Sequence, residues 1–236
     1  MTFDDLFITK YEFSIEKSGV NMGIKEQVEI VKKELEGTNV QLVAATKYMS
    51  VDQTLELYNC GIKRFGENRS DMFLEKYEAL KDYDDIEWHF FGVVQSRRIR
   101  DLANRITCLH SLDRVSLAIE LNKRLEQPLD CFIQINISEE PNKQGIPANR
   151  LKSFVKQLAS LDKIRIVGLM CIAKFTFDEE ELRGYFSKMQ KLKEQVEEMQ
   201  LPYAPCHRLS MGMSNDYKIA IQYGATDVRI GRLFLK

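Results

Sequence analysis

The sequence has no CxxC pair and no apolar stretch near the ~20 residues that a membrane-crossing helix requires. Its five cysteines, Cys60, Cys108, Cys131, Cys171 and Cys206, are odd in number and scattered. That argues against a disulfide framework and for a reducing compartment, the cytosol. No Pro-, Gly- or Ser-rich linker, repeat or low-complexity tract interrupts the chain, so one domain over residues 1–236 is the simplest organisation. Charge of one sign is also lacking: 34 basic residues face 35 acidic ones. A dedicated nucleic-acid or membrane-surface binder is not expected, and the short cluster RRIR (97–100) reads as a solvated helix start. The three histidines, His89, His110 and His207, show no ligand spacing, so no metal site is expected. The opening MTFDDLFITKYEF is acidic and mixed, unlike a secretory signal or an Arg-rich transit peptide.

What is present is alternation. Short apolar runs predict eight strands: 41–46, 63–67, 87–92, 106–112, 130–137, 164–170, 207–212 and 227–231. Several are apolar at consecutive positions, as in parallel strands covered on both faces. Amphipathic segments lie between them, at 51–60, 68–80, 96–104, 114–126, 147–160, 178–200 and 214–223, and a further helix at 24–36 precedes the first strand. Ser50 and Gln53 form a capping-box pattern. The stripe Leu182, Tyr185, Phe186, Met189, Leu192, Val196 and Met199 reads as core packing. Ser214 is the expected cap of the last internal helix. Strict strand–helix alternation implies parallel strands, and eight units imply a (β/α)8 barrel with an extra N-terminal helix. A doubly wound open sheet is the alternative, but no Gly-rich fingerprint follows the first strand. The chain stops at Lys236, just after strand eight. The usual final helix is missing or reduced to a turn, and helix 24–36 is expected to cover that side.

In such a barrel the chemistry gathers at the carboxyl ends of the strands. Strand one delivers Lys47 there, strand two Asn68, strand six Met170, strand seven Ser210, Met211 and Ser214, and strand eight Arg229 and Gly231. The serines, the glycines of SMGMS and RIG, and a helix start near Ser214 would suit an anion such as phosphate; the glycines could equally serve turns. A lysine near that cradle suggests a Schiff base to a phosphorylated aldehyde, pyridoxal 5′-phosphate (PLP) being the commonest. An exposed strand-end lysine is the other reading of Lys47.

The segments AATKYMS, RFGEN, EWHFFG, IQINISEEPNKQGI, VGLMCIA, LSMGMSND and VRIG, in that order from about Val43 to Gly231, resemble the pyridoxal phosphate homeostasis protein family, whose fold is similar to the alanine racemase barrel domain standing alone. The resemblance implies that Lys47 holds PLP as a Schiff base. It places Ser210, Met211 and Ser214 beside the phosphate, with a backbone N–H from Gly231. Arg229 would face the pyridine nitrogen, and Asn68 and Met170 would line the ring. It also implies a cytoplasmic monomer that stores PLP, or delivers it to PLP-dependent apo-enzymes, without an established reaction. An amino-acid racemase is the alternative. It needs a second base on the other face of the substrate, and none of the nine tyrosines is an obvious one. The chain departs from the family pattern at Arg232, where Thr is usual, at Arg69, and in GVVQSRR (92–98). Arg69, Arg97, Arg98 and Arg232 are expected to make this mouth more basic than is typical; at Arg232 either a backbone contact to the phosphate survives or the guanidinium itself pairs with the anion.

Overall fold

The computed structural model describes residues 22–235. Helix α1 (Ile24–Leu35) leads into eight strands: β1 (Gln41–Ala45), β2 (Arg64–Glu67), β3 (Glu87–Phe90), β4 (Cys108–Leu112), β5 (Leu129–Ile135), β6 (Ile164–Cys171), β7 (Arg208–Met213) and β8 (Asp227–Ile230). Between successive strands lie α2 (Val51–Asn59), α3 (Ser70–Ala79), α4 (Ile99–Leu102), α5 (Val115–Arg124), α6 (Leu151–Gln157), α7 (Glu179–Glu197) and α8 (Tyr217–Gln222). The strands pair in chain order, and β8 closes on β1 with Val43 opposite Arg229. All neighbours are parallel, so the (β/α)8 barrel expected from the alternation is present.

Local chemistry sets the helix ends. Ser50 and Gln53 make the capping box at α2. Asp178 accepts from the Glu180 and Glu181 amides and starts α7, where three further carboxylates in the first turn suit the positive end of the helix dipole. Segment 96–104 is shorter than its pattern suggests: a 3₁₀ turn, Ser96–Arg98, runs into the four residues of α4. Segment 147–160 also opens with a 3₁₀ turn, after Pro147. The last element is a 3₁₀ turn, Arg232–Leu235, and α1 packs against it. Helix α1 therefore covers the side where a final helix would sit, burying Ile24, Val28, Val31 and Leu35.

Two cores result. The main one fills the layer between barrel and helices, with Phe65, Phe73, Trp88 and Phe186 among its large members. The second lies inside the barrel and is small: Cys108, Phe132, Val167 and Met170, with Phe91 against them. Much of the rest of the lumen is polar. His89, His110, Ser210 and Arg229 are all nearly inaccessible, where branched apolar side chains would be usual. Among the described residues no helix is long and apolar enough to cross a membrane.

Candidate functional site

Alternation along β1 puts Val43 and Ala45 on the lumen side, and Lys47 follows in the turn two residues past its end. Lys47 is half-buried. Its Nζ lies 4.6 Å from the ring centroid of Tyr48, an exposed neighbour at the rim, and among the described residues it has no carboxylate partner. Thr46 turns the other way. Its hydroxyl donates to Glu67 Oε1 at 2.6 Å, and Lys76 Nζ donates to the same oxygen at 2.5 Å and to the Thr46 carbonyl at 2.6 Å. Lys76 and Glu67 are 1% and 0% exposed. Two lysines thus approach this corner: one is locked in a buried ion pair, and the other presents its amine to the mouth.

Asn68 follows β2, half-buried, and its side-chain amide has no partner among the described residues. Gly92 lies directly against it: a Cβ there would sit 1.8 Å from the Asn68 carbonyl oxygen, so only glycine fits. Across the barrel, Gln134 on β5 pairs in register with Met170 on β6, and Met170 is fully buried. The amide oxygens of Gln134 and Asn136 are buried without a hydrogen-bond partner, an arrangement that favours a donor-bearing ligand.

The β7–β8 corner differs from expectation in three respects. First, α8 begins at Tyr217, not at Ser214, and Asp216 rather than Ser214 organises its start by accepting from the Met213 amide at 2.5 Å. Gly212, at φ +91°, bends the strand into contact with α8 and adds the intervening turn. A six-residue helix set back by three positions offers little dipole to an anion. Ser214 itself keeps an uncommitted hydroxyl among the described residues. Second, Met211 packs its side chain into the outer core, so only its backbone borders the mouth. Third, the Ser210 hydroxyl is engaged in the lumen, with Arg229 Nη1 donating to it at 2.6 Å and His110 Nδ1 at 2.7 Å from it. Arg229 is further tied through Nη2 to the Cys171 carbonyl at 2.8 Å. Burial lowers its pKa, against the opposing pull of Asp216 and Asp227. Gly231, just beyond β8, is required by barrel closure, since a Cβ would lie 2.4 Å from the Ala45 carbonyl oxygen. Arg232 is half-buried in the terminal turn. The rim is less basic than its arginines suggest, because Arg69 pairs with Asp71 and Arg98 with Asp101.

Two of the three histidines read as scattered, His89 and His110, come together. His89, Cys108 and His110 place ligand-type atoms within 4.8 Å of one another inside the barrel. His110 uses both ring nitrogens in hydrogen bonds, to Ser210 and to His89, and burial pushes the Cys108 thiol well up. Burial holds His89 below, and His110 well below, the ordinary imidazole range. The folded protein keeps both neutral, while the unfolded chain protonates them near pH ~6.5. Below that value the unfolded state binds more protons. Stability should therefore fall as pH drops through about 6.5, by up to ~1.4 kcal/mol per pH unit per histidine. Urea midpoints measured from pH 7.5 to pH 5.5, above the carboxylate range, check this; a flat profile would contradict neutral burial.

Sequence reasoning missed the Glu67–Lys76 pair and the contact between His89 and His110. The signal lay in polar residues on alternate positions of apolar strands, His89 in EWHFFG and His110 in CLHSL.

The family model described as "Alanine racemase, N-terminal domain" matches residues 23–235. A pyridoxal phosphate homeostasis protein of Aquifex aeolicus is 39% identical over 199 residues, covering 82% of this chain and 85% of that protein. One from Schizosaccharomyces pombe is 34% identical over 207 residues, with 85% of each covered. The solved structure of PipY of Synechococcus elongatus, with PLP bound, superposes with a TM-score of 0.83 at 29% identity, over 90% of this chain and 100% of that one.

Proposed function

Given that this chain belongs to the alanine racemase N-terminal-domain family, and within it to the pyridoxal phosphate homeostasis proteins, we propose that it binds PLP at the carboxyl-end mouth of the barrel and acts as a carrier. The observation that carries this reading is the placement of Lys47, an amine half-buried at the mouth with no anionic partner among the described residues. β7, β8 and β1 are consecutive around the barrel, so Ser214, Arg229 and Lys47 come from one sector of the rim.

The donor set fits the cofactor. Lys47 would hold it through its amine. The Ser214 hydroxyl and the backbone N–H groups around it would donate to the phosphate, with Arg232 beside them. Asn68 and Met170 would flank the ring. Arg229 would donate to the ring nitrogen; two of its five N–H groups are committed to Ser210 and Cys171, which leaves three. When bound, the cofactor supplies an aldehyde and a ring that can accept electrons. A guanidinium does not surrender its proton, so Arg229 would keep the ring nitrogen unprotonated and the ring a weak acceptor. This favours carriage over turnover. So does Tyr48, which stands beside Lys47 itself and offers no second base on the other face. We place the protein in the cytoplasm as a monomer, with PLP-dependent apo-enzymes as recipients.

The test is direct. The protein is mixed with PLP, desalted, reduced with borohydride and digested. The label should map to the peptide carrying Lys47; a label elsewhere, or none, refutes the reading. Ser214→Ala should weaken PLP binding about fivefold, the equivalent of one hydrogen bond of ~1 kcal/mol, as measured by spectroscopic titration. Unchanged affinity would remove Ser214 from the phosphate seat.

A further inference from the structure

The polar side chains inside the barrel link end to end. Arg229 Nη1 lies 2.6 Å from Ser210 Oγ, Ser210 Oγ lies 2.7 Å from His110 Nδ1, and His110 Nε2 lies 2.8 Å from His89 Nδ1. His89 Nε2 then faces Glu87 Oε2 at 3.9 Å. Glu87 opens β3 at the amino-terminal mouth, where its side chain is 43% exposed and pairs with Arg64. The series therefore crosses the lumen from β8 and β7 to β4 and β3, from one mouth to the other.

A guanidinium only donates, so Ser210 accepts from Arg229 and has one proton to give. Given to His110, that proton needs a lone pair on Nδ1. Neutral His110 then carries its own proton on Nε2 and donates to His89 Nδ1. Neutral His89 in turn carries its proton on Nε2, toward the Glu87 carboxylate. The reverse order would aim a His89 lone pair at that carboxylate. The charged groups around the histidines fit this order: Arg208, Asp227 and Glu87 act on His89, and Arg208 and Arg229 act on His110. Two cationic neighbours and full burial keep His110 neutral.

We propose that Ser210, His110 and His89 are positioning residues for Arg229, a directional hydrogen-bonded chain that holds the guanidinium in one setting from the far side of the barrel. The proposal rests on the PLP reading above and gives Ser210 a different task from phosphate contact. A serine that touches phosphate matters only to phosphorylated ligands. A serine that sets Arg229 matters to the ring, with or without phosphate.

Two measurements test it. In the cofactor-free parent protein, long-range ¹H–¹⁵N correlation of the imidazoles should show both His89 and His110 as neutral Nε2–H tautomers, unchanged at pH 6.5, where an ordinary histidine is about half protonated. An Nδ1–H tautomer at either histidine, or a cationic ring, overturns the chain. The second measurement uses Ser210→Ala. It should lose the pure Nε2–H signature of His110, shift the absorbance of bound PLP, and weaken PLP and unphosphorylated pyridoxal alike, by about fivefold each for one hydrogen bond. Weakening confined to PLP would return Ser210 to the phosphate, and an unshifted spectrum would detach it from Arg229; either result overturns the proposal. If Ser210→Ala does not fold, the tautomers of the parent decide. If the parent binds neither ligand, the carrier reading fails, and the tautomers still judge the chain.

Discussion

Lys47→Ala should yield a folded barrel that no longer retains PLP through desalting and takes up no borohydride-fixed label. The two halves of this result have separate causes. Folding survives because Lys47 is half-buried, makes one ring contact and anchors nothing; substitutions of that kind stay within about 0.5 kcal/mol. Binding fails because, among the described residues, no other amine at this corner can replace it. Lys76 is buried and bonded to Glu67 and to the Thr46 carbonyl. On the loop after β5, Lys143 is paired with Glu140 and Ser138, and after β6 Lys174 is paired with Glu181. The contacts left to the cofactor would be non-covalent ones, through Ser214, Arg229 and their neighbours. Retention should fall on the order of a hundredfold, ~2.7 kcal/mol. Absorbance after gel filtration and intact mass after reduction read both halves, and thermal melting confirms the fold. A Lys47→Ala protein that keeps a covalent label would move the anchor elsewhere and take the assignment of the whole mouth with it.

How far the sequence leads depends on whether a feature is local. The barrel was legible because its signals are: continuous apolar runs such as QLVAA and CFIQI for strands buried on both faces, and the Leu182–Val196 stripe for a long helix. The strand-end rule also brought Lys47, Asn68 and Arg229 to one mouth without any knowledge of their contacts. Failures came where two local options compete. Ser214 was expected to cap the last helix, but that helix starts at Tyr217, after a turn in which Asp216 accepts from the Met213 amide. Ser210 was assigned to phosphate from its motif, although alternation along β7 already turned it toward the lumen. The least legible features are pairings across the chain. Ser210 meets His110 over 100 positions and Lys76 reaches Thr46 over 30, and no periodicity encodes such a meeting before the barrel closes.

The Lys76–Glu67 pair carries the largest effect on stability. Lys76→Met should lower the unfolding free energy by roughly 3–5 kcal/mol, because it strands a carboxylate in a layer closed to water. One oxygen of Glu67 already has no partner; after the substitution the Thr46 hydroxyl alone would face the other. For a chain of this length the loss corresponds to a drop in melting temperature on the order of 10 °C. Adding Glu67→Gln removes the buried charge and should restore most of the loss, since an ion pair replaced as a unit costs far less than one broken. The same bond has a functional side. Lys76 holds the Thr46 carbonyl, and Thr46 is the residue that presents Lys47. In the double variant the charge problem is gone but that anchor is still missing, so PLP retention should stay below the parent even where stability recovers. Urea unfolding and PLP titration on the parent, the single and the double variants separate the two effects. A Lys76→Met protein within 1 kcal/mol of the parent would mean that Glu67 takes up a proton or reaches water, and that the corner behind Lys47 is open rather than sealed.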